Sequence, residues 1–360
     1  MTQPLRVCLI ASSRFPVAEP FAGGLEAHSH GLARELTRRG YAVTLFAAPG
    51  SDSSLNVHEL AVDTFVPSAT ARADVGAGPA QWIQEHHAYL GLMLDLARHG
   101  SRRFDVIHNN SLHHLPVAMA SSLEVPFVTT LHTPPVPWLE SAIAYAPKSA
   151  AFASVSAFTA RSWSHVTPST VVLNGVDTDR WQVGCGGGGS AVWFGRLVPE
   201  KGAHLAIDAA AIAGVPLDLA GPIFDPEYFA HHIRPRLSPT VRYLGHLCHQ
   251  QLVEVVGRAS VALVTPVWDE PYGLVAAEAI ACGTPVAGFH RGALPEFVTE
   301  STGILVTPDD VRALAAAIPS AQALPRHGLR TYALDNLSRE RMVDEYESLY
   351  DHVVTNYCAA

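Results

Sequence analysis

The chain has 360 residues, 48% of them apolar and 16% charged, with a formal net charge of −9. That length suits two domains of roughly 150–180 residues, each with a substantial core, and the apolar content excludes general disorder. The acidic balance argues against nucleic acid or an anionic membrane surface as the main partner, because both recruit basic surface.

No apolar run approaches the roughly 20 residues that span a bilayer. Residues 1–12 hold one Arg and a short apolar stretch that stops at Ser12-Ser13-Arg14, which reads as a first strand rather than an export signal. Cys8, Cys185, Cys248, Cys282 and Cys358 are odd in number, widely spaced and free of any C-x-x-C pair. Reduced thiols in a cytoplasmic protein are the expectation.

Short apolar runs alternate with amphipathic segments, the pattern of parallel sheets with crossover helices. A strand is predicted at residues 5–11, followed by a turn at Phe21-Ala22-Gly23-Gly24. Over residues 25–39, Leu25, Leu32, Ala33 and Leu36 share one helical face, and Gly40 ends the helix. Strands follow at 41–47, 105–108, 126–132, 151–156 and 170–173, with a long helix at 81–98 and a loop expected to be mobile at 65–78. The run Gly184-Cys185-Gly186-Gly187-Gly188-Gly189 breaks this rhythm and is expected to be a flexible joint. Strands resume at 191–195, 216–220, 241–244, 261–265 and 285–289, with helices at 201–213, 252–258 and 273–282 and a last one at 339–356. The expectation is an α/β chain of two doubly wound domains, residues 1–173 and 174–339, with a final helix at about 340–360 packing back on the first. Ligands of open parallel sheets bind beyond the carboxyl ends of strands, so two such domains facing each other would frame a central cleft.

The sharpest motif is Glu270-Pro271-Tyr272-Gly273-Leu274-Val275-Ala276-Ala277-Glu278, which follows a strand and opens a helix. Pro271 suits a helix start, and Gly273 leaves backbone amides uncovered for an anion. Glu278 is set in an otherwise apolar helix, so its carboxylate requires a partner such as a ribose diol. Glu270, in the preceding loop, is placed for a second polyol; favouring the helix dipole is the plainer role. The second motif is Gly195-Arg196 at a strand end with Lys201 at a helix start, cations suited to a diphosphate. A surface Arg196 paired with Glu200 is the alternative.

Together with Gly283-Thr284-Pro285-Val286, Asn174-Gly175-Val176-Asp177 and Gly303-Ile304-Leu305-Val306, these motifs resemble the family-four retaining glycosyltransferases of GT-B architecture. The resemblance covers most of residues 170–320 in order and the first half more loosely. It implies two Rossmann-like domains facing a cleft. It further implies transfer of a hexose-type sugar from a nucleoside diphosphate donor, with UDP preferred, to an unknown hydroxyl acceptor. Retention, no metal and no cofactor belong to the same expectation. Arg196 and Lys201 would hold the diphosphate, Glu270 and His132 would contact the transferred sugar, and Glu278 would bind the ribose. Gly195, Tyr272, Gly273 and Leu274 would line the donor site, with His246 and Leu247 at the base.

In the first domain, Gly23 and Gly24 would approach sugar or phosphate, although a sharp turn also uses paired glycines. His132 ends a strand before Thr133-Pro134-Pro135, where a capping or core histidine is the alternative. Glu26, Asn109 and Asn110 are candidates for an acceptor pocket, and as turn residues the two asparagines are also unremarkable. Trp82 and Trp138 line an apolar acceptor site or belong to the core. Nineteen histidines invite a metal, but no ligand spacing such as H-E-x-x-H appears. Asp177-Thr178-Asp179 is formally a D-x-D and reads as a structural turn at the domain junction. The rival functions are a sugar-nucleotide epimerase, a phosphorylase, and a two-lobed sugar-binding protein.

Overall fold

The computed structural model describes residues 4–359. The chain forms two compact units. One comprises the residues up to Val155, Thr159–Val172 and Val343–Ala360; the other comprises Ser156–Phe158 and Leu173–Met342.

The first unit is built on a seven-stranded sheet: β1 (Arg6–Ile10), β2 (Ala42–Ala47), β3 (Val57–Glu59), β4 (Val106–Asn109), β5 (Phe127–Leu131), β6 (Ala151–Ser154) and β7 (Thr170–Val171). Its order is β3-β2-β1-β4-β5-β6-β7, with every named pairing parallel. The second unit holds β8 (Ala191–Phe194), β9 (Leu217–Ala220), β10 (Val241–Tyr243), β11 (Ala262–Val264), β12 (Val286–Phe289) and β13 (Gly303–Val306), ordered β10-β9-β8-β11-β12-β13. Each sheet therefore starts at its centre, winds outward, and reverses beside its first strand. That reversal leaves a crevice at the carboxyl ends of β1 and β4, and likewise of β8 and β11. Central strands β4, β5, β8 and β12 are buried along their whole length; β8 and β12 accordingly read as continuous apolar runs, whereas β4 and β5 also bury His108, Asn109, Thr129 and Thr130.

Element boundaries fall within a few residues of those predicted, apart from the long helix, which extends over Ala80–Arg103. Residues 65–79 lie on the surface around a single helical turn, Ala69–Arg72. The glycine run is not a free joint. The amides of Gly184, Gly186 and Gly188 donate to the carbonyls of Cys282, Gly257 and Arg258. A Cβ on Gly184 would stand 2.1 Å from the Gly257 carbonyl oxygen. Composition alone suggested flexibility, but these glycines permit backbone to lie directly on backbone.

The last helix, Arg339–Ala359, carries Tyr346 and Tyr350 into the interior of the first unit. Tyr350 Oη lies 2.7 Å from His108 Nδ1, and Tyr346 Oη lies 3.0 Å from Thr130 Oγ1.

Candidate active site

In the second unit β8 ends at Phe194, and the following Gly195, at φ 145°, turns the chain. A Cβ on neighbouring Gly221 would stand 1.8 Å from the Gly195 carbonyl oxygen, so the two loops touch through bare backbone. Arg196 follows, half-buried, with its guanidinium 5.5 Å from the Phe224 ring centroid. It makes no ion pair among the described residues, so the expected alternative partner, Glu200, does not hold it.

A short 3-10 turn, Pro199–Lys201, then presents Lys201. Gly202 takes φ 65° beside the carbonyl of Thr265, just beyond β11. Lys201 Nζ stands 2.8 and 2.7 Å from the two carboxylate oxygens of Glu270. Trp268 Nε1 donates to Glu270 Oε2 at 3.0 Å, and the Lys201 ammonium lies 5.4 Å from the Trp268 ring centroid. Lys201 and Glu270, 69 positions apart, are thus direct partners.

The chain passes through Gly273, at φ 99°, into the helix Leu274–Ala281, whose amino terminus has no side-chain cap. Its first amides are oriented for an anion. Glu278 lies one turn inside. The residue keeps part of its surface open, yet no donor reaches its carboxyl among the described residues, and burial pushes it up to about 8. An acid in this state gains from two hydroxyl donors. His246 is exposed and Leu247 half-buried in the loop after β10. Tyr272 is placed differently from expectation: its ring is buried and stacked on Phe297, with centroids 4.8 Å apart. It packs the loop rather than offering a face to a ligand.

In the first unit, Gly23 is extended backbone (φ −168°) and Gly24 begins the helix Gly24–Arg38. Glu26 is buried, with a carboxylate oxygen 3.3 Å from where a Gly23 Cβ would stand. His132 Nε2 is 2.9 Å from Asn110 Oδ1, and the His28 ring packs edge-on at 4.8 Å. Burial first, then His28 and His108, hold the His132 imidazole well below its ordinary range, so it is neutral at pH 7. Asn109 is fully buried and its Oδ1 accepts from the amide and hydroxyl of Ser111. It shapes the turn and has no surface for an acceptor. Trp82 and Trp138 are exposed and do not belong to the core. His86, His113 and His114 gather as packed rings, and among the described residues no set of three metal-ligating side chains converges. Asp177 pairs with Arg339 at 2.8 Å, which fits a structural turn.

Trp268 and the tyrosines of the last helix were not anticipated. Trp268 lies two residues before Glu270 and an aromatic at that spacing was a usable signal, whereas the tyrosines meet their partners only through the fold.

Two family models match in sequence: Glycosyltransferase Family 4 over residues 22–180, and Glycosyl transferases group 1 over residues 189–322. The chain is a glycosyltransferase. The solute-binding, epimerase and phosphorylase alternatives give way with that finding. Glycogen synthase of Mycobacterium tuberculosis is 29% identical over 385 aligned residues, covering 95% of this chain and 91% of that protein. Among solved structures, the glycosyltransferase AviGT4 of avilamycin A biosynthesis superposes with a TM-score of 0.69 at 23% identity, covering 98% of each chain. Anabaena HepE, solved with UDP and glucose, superposes at 0.73 with 16% identity, covering 97% of this glycosyltransferase and all of that chain. These likenesses establish the GT-B class of fold, two parallel-sheet Rossmann-like domains. No described helix is long and apolar enough to cross a membrane.

Proposed function

We propose that this glycosyltransferase moves a hexose-type sugar from a UDP-sugar to a hydroxyl acceptor, with retention at the anomeric carbon and without a metal ion. The observation that carries the reading is the strand-end cluster of the second unit: Arg196 and the helix start at Gly273 and Leu274, neither with an ion-pair or side-chain capping partner among the described residues, the Lys201–Glu270 pair, and the half-buried acid Glu278. Arg196, Lys201 and the helix-end amides stabilise the leaving diphosphate. Glu278 accepts from the ribose diol, and Glu270 from hydroxyls of the transferred sugar while Lys201 turns toward phosphate. His246 and Leu247 border the base. The anomeric carbon–phosphate bond breaks as the acceptor oxygen bonds to that carbon. The leaving phosphate oxygen takes the acceptor's proton on the same face. His132 meets a hydroxyl of the sugar, and the first unit supplies the acceptor site, where Glu26 and the exposed Trp138 are available.

UDP is favoured by the UDP complex of the HepE neighbour. Binding of UDP-, GDP-, dTDP- and ADP-sugars to wild type and Arg196→Ala tests the assignment. UDP-sugars are expected to bind best and the substitution to weaken all of them. Binding that ignores Arg196 sinks the site, and preference for another base corrects the donor.

A further inference from the structure

β4 and β5 are adjacent, with Asn109 opposite Thr129, so Asn110 and His132 emerge from neighbouring strand ends. The 2.9 Å contact joins His132 Nε2 to the amide oxygen of Asn110. An amide oxygen only accepts, so the imidazole hydrogen lies on Nε2. The groups facing the ring are His28 from the first helix and His108 from β4, with Tyr346 of the last helix 6.1 Å beyond His28. None of these is a carboxylate that would favour a second proton. A neutral ring protonated on Nε2 has its lone pair on Nδ1, and among the described residues nothing bonds to Nδ1. Asn110 is itself 1% exposed, and its Nδ2 has no partner among the described residues, so the amide is fixed by the His132 contact alone.

We propose that Asn110 is a positioning residue: by accepting from Nε2–H it holds His132 as one neutral tautomer, leaving Nδ1 to accept a hydrogen bond from a substrate hydroxyl. This rests on the reading that His132 meets the sugar, and adds a direction to that contact. His132 would then select for a hydroxyl that donates. A sugar with hydrogen or fluorine at that carbon is refused, whereas a donating imidazole would still tolerate fluorine as a weak acceptor.

Nitrogen-15 spectra of histidine-labelled protein, assigned by difference against His132→Gln, test the tautomer without requiring activity. The expected result from pH 6 to 8 is a protonated Nε2 and a bare Nδ1; the reverse overturns the proposal. Asn110→Asp sets a carboxylate against the same nitrogen and raises the ring's pKa. At pH 6 the imidazolium then forms, Nδ1 becomes a donor, and kcat/KM falls by about tenfold or more, recovering toward wild type at pH 9. A loss equal at all pH values shows that Asn110 only packs, and also overturns the proposal. If wild type turns over no nucleotide sugar, the sugar-contact reading of His132 fails, while the nitrogen spectra still decide the tautomer.

Discussion

Glu278 is a carboxylic acid whose burial raises it from the ordinary range to about 8, with desolvation as the cause. Between those two values the folded protein holds a proton that the unfolded chain has lost, so this group's contribution to stability falls as pH rises through that window. A ribose diol favours the carboxylate, so nucleotide affinity should rise from pH 6 to pH 8 and binding at pH 7 should release a proton. Calorimetry in buffers of different ionisation enthalpy measures that release; wild type should show it and Glu278→Gln should not. At the neighbouring cations, Arg196→Ala should lower kcat/KM by about 10²-fold, the cost typical of removing one preorganised donor from a developing charge. An unchanged value would place the diphosphate elsewhere. Arg196 and Lys201 were legible in the sequence because they follow a strand and precede a helix, and Glu278 because its helix is otherwise apolar. Their pairing was not: nothing in local pattern joins Lys201 to Glu270 across 69 positions, or shows that Trp268 completes the contact.

At the scale of elements, the loop from β11 to the helix Leu274–Ala281 is held by a second turn, residues 290–294. Ala293 N donates to the Glu270 carbonyl at 2.9 Å, and Gly292 sits at φ 56° with its missing Cβ directed 2.2 Å from that carbonyl oxygen. Gly292→Ala therefore meets backbone, which cannot swing aside as a side-chain tip would. The left-handed conformation costs about 1 kcal/mol for Ala, and the collision pushes Glu270 away from Lys201. The expected outcome is a folded enzyme with a Tm lowered by a few degrees and kcat/KM lowered far more. Equal, small losses in both would mean that the turn only supports the fold. Glycine's two uses explain what the sequence concealed here. In the run at residues 184–189 the same residue type that suggests a flexible joint serves close packing instead, and composition cannot separate the two. Tyr272 is a related case: its place in a sequence motif says nothing about which way a buried ring faces.

On the scale of the whole chain, two doubly wound domains were readable from the alternation of strands and helices, but their shared strand order, and the purpose of the chain's return to the first unit after Met342, show only in three dimensions. Tyr346 and Tyr350 have no exposed surface, and their hydroxyls join His108 and Thr130 in one buried network, with His108 Nε2 2.7 Å from Thr130 Oγ1. Burial lowers His108 to about 3, so the unfolded chain binds its proton first and this contribution to stability is present above about pH 6.5 and lost as pH falls toward 3. Tyr350→Phe leaves a buried imidazole nitrogen without its partner, at a cost of about 1–3 kcal/mol. Deleting residues 343–360 removes both tyrosines and exposes the sheet face beneath them. Hydrogen exchange should then report lost protection across β1, β4 and β5. The residues assigned to the nucleotide, from Gly195 to Glu278, all belong to the second unit, so UDP titration should still show binding to the truncated chain. Loss of that binding would show that the nucleotide site depends on the first unit. Unchanged protection of the first sheet would show that the last helix merely rests on it.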